Sequence, residues 1–358
     1  MTVFNKDNKE YTTGDYSLFL GEQPALFDSI NRKYQNIHNL YKFQKSIDWS
    51  EDEVDLEQSR LDLLVCPQEV KDIMIKNIAF QWELDSVASR SIAPLFAPFI
   101  SNSELWAAWL KISEVEILHS LTYSEIVRQC VPDPQDVFKE VMKNEQVLGR
   151  ANKVVEVFDN LQRVGAKRIL GLSSTQEDED AILMGVVALY CLERIQFMSS
   201  FAATFALAEQ GWMIGIAKLV QKIMNDEFRV HCAVDKAVLD ILFSQQQWNA
   251  CLKRNKYVLL EIVDEVVEQE KTWATYLFQE GRKIVGLNET LLKEWVDYNS
   301  KDVYDALGVI DFICVKDNPL PFMDNWLDID KFQNANQEPD NTNYLLNILR
   351  DDLGDVIL

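Results

Sequence analysis

The chain has 358 residues, 47% of them hydrophobic, with 12 Gly and 9 Pro, enough to bury a large core in one big helical domain or two smaller ones. Its formal net charge of −22 would repel a phosphate backbone, and no dense Lys/Arg run overrides it locally, so direct nucleic-acid binding is not expected. No run approaches the roughly 18 to 20 uninterrupted apolar residues of a membrane span, the segment Met1 to Glu10 has no apolar signal core, and six dispersed cysteines (Cys66, Cys130, Cys191, Cys232, Cys251, Cys314) form no CxxC pair; a cytoplasmic protein with reduced, mostly buried thiols is expected.

Apolar residues at three- and four-residue spacing dominate from about residue 67 to about residue 300, which predicts a helix bundle. Pro67-Gln68 opens a helix that runs through Trp82 and Asp85 towards Ser89. Ser101 or Ser103 caps a second, which continues through Trp109, Glu116 and Tyr123 to about Cys130, where Pro132 and Pro134 end it. A third covers about Glu140 to Val164, residues 171–180 read as a loop, a fourth covers about Ala181 to Gln210, and a fifth Trp212 to Gln245. Two more follow over 249–280 and 288–306, and Asn318-Pro319-Leu320-Pro321 stops regular structure. From about Phe332 to Leu358 the chain is rich in Asn, Asp and Gln until Leu345-Leu346 and Val356-Ile357-Leu358, a composition expected of a flexible tail that docks elsewhere. The expected division is therefore a helical domain over 1–330 and a tail over 331–358.

Glu116-Ile117-Leu118-His119 places a carboxylate and an imidazole three residues apart, on one helix face, where both can hold one metal ion. Alone, that spacing is weak evidence and is far more often the mark of a solvated or capped pair. The wider set gives it weight: Asp85, Glu116 with His119, Glu193, and Glu227 with His231 stand on four different predicted helices. Two hard divalent ions need about four carboxylates and two imidazoles, and burying so many acids is tolerable only if a cation neutralises them. Of the three histidines, only His38 falls outside the set, and it reads as structural.

Leu84-Asp85-Ser86, Glu116-Ile117-Leu118-His119-Ser120-Leu121-Thr122-Tyr123 and Asp226-Glu227 resemble, in order and spacing, the small subunit of class I ribonucleotide reductases, of the class Ia type. Trp49-Ser50-Glu51-Asp52-Glu53-Val54-Asp55-Leu56, Phe197-Met198-Ser199-Ser200-Phe201-Ala202 and Asn318-Pro319-Leu320-Pro321 extend the likeness over nearly the whole chain. One departure stands out. The family's second pair has His three residues after Glu, whereas here Glu227 and His231 are four apart and Val230 fills the family position. A four-residue step keeps one face, and a one-residue π-bulge would also absorb it.

The resemblance implies an all-α, ferritin-like bundle with a di-metal carboxylate site, two metal ions (iron first, manganese or a mixed Mn/Fe pair as alternatives), and activation of O2 that takes an electron and a proton from Tyr123. It further implies a radical pocket of Phe197, Phe201 and Ile223, which otherwise read as plain core residues at helical spacing. Trp49 and Asp226, coupled to His119, match the inner end of a radical-transfer path. Tyr344 and Glu338 match its outer end, leading to a large catalytic subunit where ribonucleotides are reduced for deoxyribonucleotide supply and DNA replication. A homodimer is implied as well. No GxxxxGK[ST] or GxGxxG motif offers a nucleotide site on this chain. Two other readings stay open at this point: a ferritin-like di-iron oxidase or hydroxylase with its own small substrate, and a helical interaction protein with a degenerate metal site.

Overall fold

A computed structural model describes residues 4–14, 16–22, 25–310 and 312–328; Glu338, Tyr344 and the remainder of 329–358 lie outside the described residues, so the expected boundary at 330 does too. Among the described residues the chain is helical throughout, with extended contacts limited to the isolated bridges Phe19–Ile100 and Ile284–Leu287. The bundle is α1 (Gln35–Ser46), α2 (Glu57–Val65), α3 (Gln68–Phe96), α4 (Ser103–Cys130), α5 (Pro134–Lys143), α6 (Glu145–Arg150), α7 (Asn152–Ile169) and α8 (Thr175–Ala208). Then come α9, made of Ile214–Asp226, Glu227–His231 and Cys232–Phe243, α10 (Gln246–Leu277), α11 (Glu289–Ala306) and the short α12 (Phe322–Trp326).

Several boundaries differ from those the sequence suggests, each for a local reason. Helix α3 does not stop near Ser89 but runs on to Phe96 through Pro94. A proline deletes one helical donor, and the neighbouring Ala93 N–H is tied to α4 by a 3.0 Å bond to Ser113 Oγ. Neither serine caps α4: Asn102 Oδ1 accepts the Leu105 N–H at 2.9 Å, while Ser101 Oγ donates to the Ser17 carbonyl. Pro134 opens α5 as its first residue, behind the cap Asp133, rather than ending anything. The expected single helix over 140–164 is broken at Asn144, whose side chain caps α6, and again at Ala151. Residues 175–180 are the first turns of α8, capped by Ser174; their acids sit where the helix dipole favours negative charge, so composition alone misread them as loop. Before residue 67, the single turn Glu10–Thr13 and the helices α1 and α2 were not anticipated, and α12 follows the Asn-Pro-Leu-Pro stop.

Helix α8 amends the expectation about membrane spans. It is long and apolar enough to cross a bilayer, and nearly all of its most apolar stretch is buried inside the protein against its neighbours. Its apolarity answers to packing at the centre of the bundle. Gly185 marks how close that packing is, since a Cβ there would come within 2.9 Å of Leu161 on α7 and 3.0 Å of Phe96 on α3.

Four of the six cysteines are buried, Cys66 is half-buried and Cys314 is exposed. Burial pushes the Cys130 thiol up to about 12 and the Cys251 thiol up to about 12. Maleimide labelling of the folded chain at pH 8 is therefore expected to modify Cys314 quickly, Cys66 at least about tenfold more slowly, and the rest only after denaturation. Rapid labelling of Cys130 or Cys251 would show that the core opens at α4 or α10.

Candidate metal centre

Four helices meet at one buried point. Helix α3 brings Asp85, α4 brings Glu116 and His119, α8 brings Glu193, and α9 brings Glu227 and His231; each is buried. Their donor atoms form two sets of four, Asp85, Glu116, His119 and Glu227, and Glu116, Glu193, Glu227 and His231, with the atoms of each set within 4.8 Å of one another. Glu116 and Glu227 belong to both sets, so two adjacent ions held here would draw on both of these carboxylates.

The four-residue step from Glu227 to His231 is resolved by a π turn spanning Glu227–His231. The bulge absorbs the extra residue, so Val230 goes into the core and His231 faces the acids. His231 Nδ1 lies 2.9 Å from Glu227 Oε2, 3.0 Å from Glu116 Oε1 and 3.8 Å from Glu193 Oε2. A second π turn, Leu192–Gln196, carries Glu193, and nothing in the sequence pattern announced it. His119 Nδ1 lies 3.0 Å from Glu227 Oε1 and 3.5 Å from Glu116 Oε2. His38 stands apart on α1, near the ring of Tyr41.

This donor set fits a pair of cations. Both carboxyl oxygens of Asp85, Glu116 and Glu193, together with Glu227 Oε1 and His119 Nδ1, are buried and make no well-directed hydrogen bond with the described residues, the Glu116 and Glu227 oxygens meeting only the two crowded imidazole nitrogens. Leaving that many polar atoms unsatisfied is costly, and a cation is the partner that satisfies them together. Burial drives the Asp85 and Glu193 carboxyls well above their ordinary range, reinforced by the charges of Glu116 and Glu227 respectively. Burial would also strip the proton from both imidazoles, yet the surrounding acids outweigh it and hold His119 and His231 well above their usual values. The pocket thus demands positive charge; four carboxylates and two divalent ions balance. Oxygen and imidazole donors suit iron and manganese alike.

Around this centre, Asp226 Oδ2 accepts from Trp49 Nε1 at 2.7 Å and faces His119 Nε2 at 3.1 Å, so Trp49, Asp226 and His119 form one connected chain. Gln44 Nε2 donates to Asp226 Oδ1 at 2.8 Å; it sits on the unanticipated α1 and carries no sequence signal of its own. Tyr123 is fully buried, and its hydroxyl has no hydrogen-bond partner among the described residues. Burial raises its phenol well above the ordinary range, with the Asp85 charge the next contributor. Phe197, Phe201 and Ile223 are equally buried in the same apolar cluster, the two phenyl rings stacked 5.7 Å apart.

Because Glu116 and Glu227 serve both donor sets, Glu116→Ala or Glu227→Ala is expected to abolish binding of both ions. His231→Ala is expected to weaken one ion by about 10- to 100-fold or more and spare the other. Metal analysis after anaerobic loading distinguishes these patterns; equal losses from all three variants would refute the shared-carboxylate arrangement.

The family model described as ribonucleotide reductase, small chain, matches residues 26–319. The ribonucleoside-diphosphate reductase subunit beta of Haemophilus influenzae is 31% identical, over 92% of this chain and 91% of its own length. Among solved structures, the ribonucleotide reductase R2 subunit from Clostridium botulinum superposes with a TM-score of 0.76 at 19% identity, covering 91% of this chain and 98% of that one. The dimanganese(II) NrdF of Streptococcus sanguinis superposes with a TM-score of 0.68 at 16% identity, covering 83% and 96%. At those identities the two structures speak for the ferritin-like fold.

Proposed function

The chain belongs to the ribonucleotide reductase small-chain family, and on that premise we propose that it is the radical-generating half of a ribonucleoside-diphosphate reductase, storing a one-electron oxidising equivalent on Tyr123. The observation that carries this reading is the pairing of two overlapping four-donor sets with a buried, unpartnered tyrosine hydroxyl on the same helix as Glu116 and His119. Two ions held by Asp85, Glu116, His119 and Glu227 and by Glu116, Glu193, Glu227 and His231, with iron the first choice and manganese or Mn/Fe the alternatives, would supply O2 activation and one-electron oxidation.

The chain's own residues do the rest. Tyr123 would give up one electron and its hydroxyl proton to that oxidised centre. Its phenol is held in the protonated form by burial, so the electron cannot leave cheaply without the proton. Phe197, Phe201 and Ile223, buried in the same core cluster as Tyr123, would supply side chains that neither reduce a phenoxyl radical nor admit water. Trp49, through Asp226 and His119, is the inner station for passing the oxidising equivalent towards the surface. Glu338 and Tyr344, in the tail over 331–358, are the outer stations, and the tail docks on the large catalytic subunit that binds the nucleotide. The chain acts as a cytoplasmic homodimer in this reading. Leu110, Ile117 and Leu121 support the pairing, since they form an exposed apolar stripe along α4.

Electron paramagnetic resonance after anaerobic ferrous loading and exposure to air tests the proposal, with metal analysis alongside. A doublet near the free-electron position with two ions bound is the expected result. Two ions without a radical would favour an oxidase on the same bundle or a different metal, and no bound metal would remove the redox role altogether.

A further inference from the structure

The surrounding protein treats the two imidazoles of the centre differently. His119 turns Nδ1 to the carboxylates and gives Nε2 to Asp226, which Trp49 holds in turn. His231 also turns Nδ1 to the carboxylates, but its Nε2 makes no hydrogen bond with the described residues, although the residue is only 1% exposed. One turn further along α9 stands Asp235, equally buried at 1%. Its Oδ1 accepts from Trp109 Nε1 of α4 at 3.2 Å, and its Oδ2 has no partner among the described residues.

A buried donor and a buried acceptor four residues apart on one helix lie on the same face, and each left unpaired is expensive. Side chains at that spacing on one helix face are neighbours, within the span that a direct bond or one bridging water covers. Metal-bound imidazoles commonly hand their second nitrogen to a carboxylate, which sets the tautomer and fixes the ring. Trp109 is well placed to hold such a carboxylate, because its own ring is fully buried and packed against Phe96 at 4.5 Å.

We propose that Asp235, held by Trp109, is a positioning residue for His231: its Oδ2 receives the His231 Nε2–H, directly or through one water, leaving Nδ1 free for the metal. His231, Asp235 and Trp109 would then repeat on one side of the centre the arrangement that His119, Asp226 and Trp49 form on the other. This rests on the reading of His231 as a metal ligand.

Anaerobic Co(II) titration of the full chain, followed by visible absorption and competition with a chelator, tests it on wild type, Asp235→Asn, Asp235→Glu and Trp109→Phe. Asparagine keeps the acceptor for Trp109 but puts a donor where His231 needs an acceptor. Asp235→Asn is expected to bind one ion as wild type does and the other about 10- to 100-fold more weakly, with an altered Co(II) spectrum and a thermal midpoint within about 3 °C. Partial recovery is expected in Asp235→Glu and a smaller loss in Trp109→Phe. Wild-type affinity for both ions in Asp235→Asn would overturn the proposal, as would equal weakening of both ions with a collapsed thermal midpoint in every variant. If wild type itself binds fewer than two ions, the reading of His231 as a ligand fails first and takes this one with it.

Discussion

Tyr123→Phe is expected to leave metal loading intact, to erase the radical signal, and to lower ribonucleotide reduction with the large subunit by more than about 10³-fold. Phenylalanine keeps the ring and its packing but has no O–H to surrender. The same change is expected to leave stability unaltered or to raise it by up to about 1 kcal/mol. The Tyr123 hydroxyl is buried without a hydrogen-bond partner among the described residues, so removing it relieves a desolvation cost and breaks no bond there. That combination separates a redox tyrosine from a structural one, whose loss would lower the melting temperature. A radical doublet persisting in Tyr123→Phe would move the oxidising equivalent to another side chain.

The second large effect concerns Arg150, which lies outside the metal centre. This arginine is fully buried, with Nε and Nη2 on Glu270 at 2.7 and 2.5 Å, Nη1 on Ser200 Oγ and a further Nη2 bond to the Gln196 carbonyl. Its guanidinium lies 3.3 Å over the Phe80 ring and 4.3 Å from that of Trp273. Burial presses Glu270 towards its neutral form and Arg150 likewise, and each is kept charged by the other. Arg150→Ala strands the Glu270 carboxylate in the core and is expected to cost about 3–5 kcal/mol in chemical denaturation. Replacing both partners by methionine is expected to recover most of that loss, because no uncompensated charge remains. A cost below about 1 kcal/mol for the single variant would show that water reaches Glu270.

Arg150 also bears on the metal centre. Gln196 ends the π turn that carries Glu193, and it is gripped from both sides, its carbonyl by Arg150 Nη2 and its Nε2 by the Arg150 carbonyl at 2.6 Å. Loosening that grip frees the turn to relax towards ordinary α-helix, which would rotate Glu193 away from His231. Arg150→Ala is therefore expected to weaken the Glu193-side ion more than the other, read by the same metal titration.

How far the site was legible depended on how local its signal is. Glu116 and His119 share a face at a fixed step, Asp85, Glu193 and Glu227 stand at family spacing, and His231 stands one residue beyond it, still on the face of Glu227, so the six converging residues were readable before any coordinates. The link from His119 through Asp226 to Trp49 came from the resemblance, and those residues do meet. Gln44, Trp109, Asp235 and Arg150 had no such mark: each works through a partner between 46 and 182 positions away, and no periodicity records that.

What the sequence determined by itself was the helical class, the family and the six converging residues proposed as ligands, because helix periodicity and side-chain spacing are properties of neighbouring residues. Tertiary structure alone decided the two π turns, the true caps and breaks of α4 to α8, and the burial of α8. A π turn costs helical hydrogen bonding wherever it forms, so it persists only where packing and the facing acids compensate. That balance is struck between helices distant in sequence, and it is what lets His231, one residue out of its expected place, face the same carboxylates.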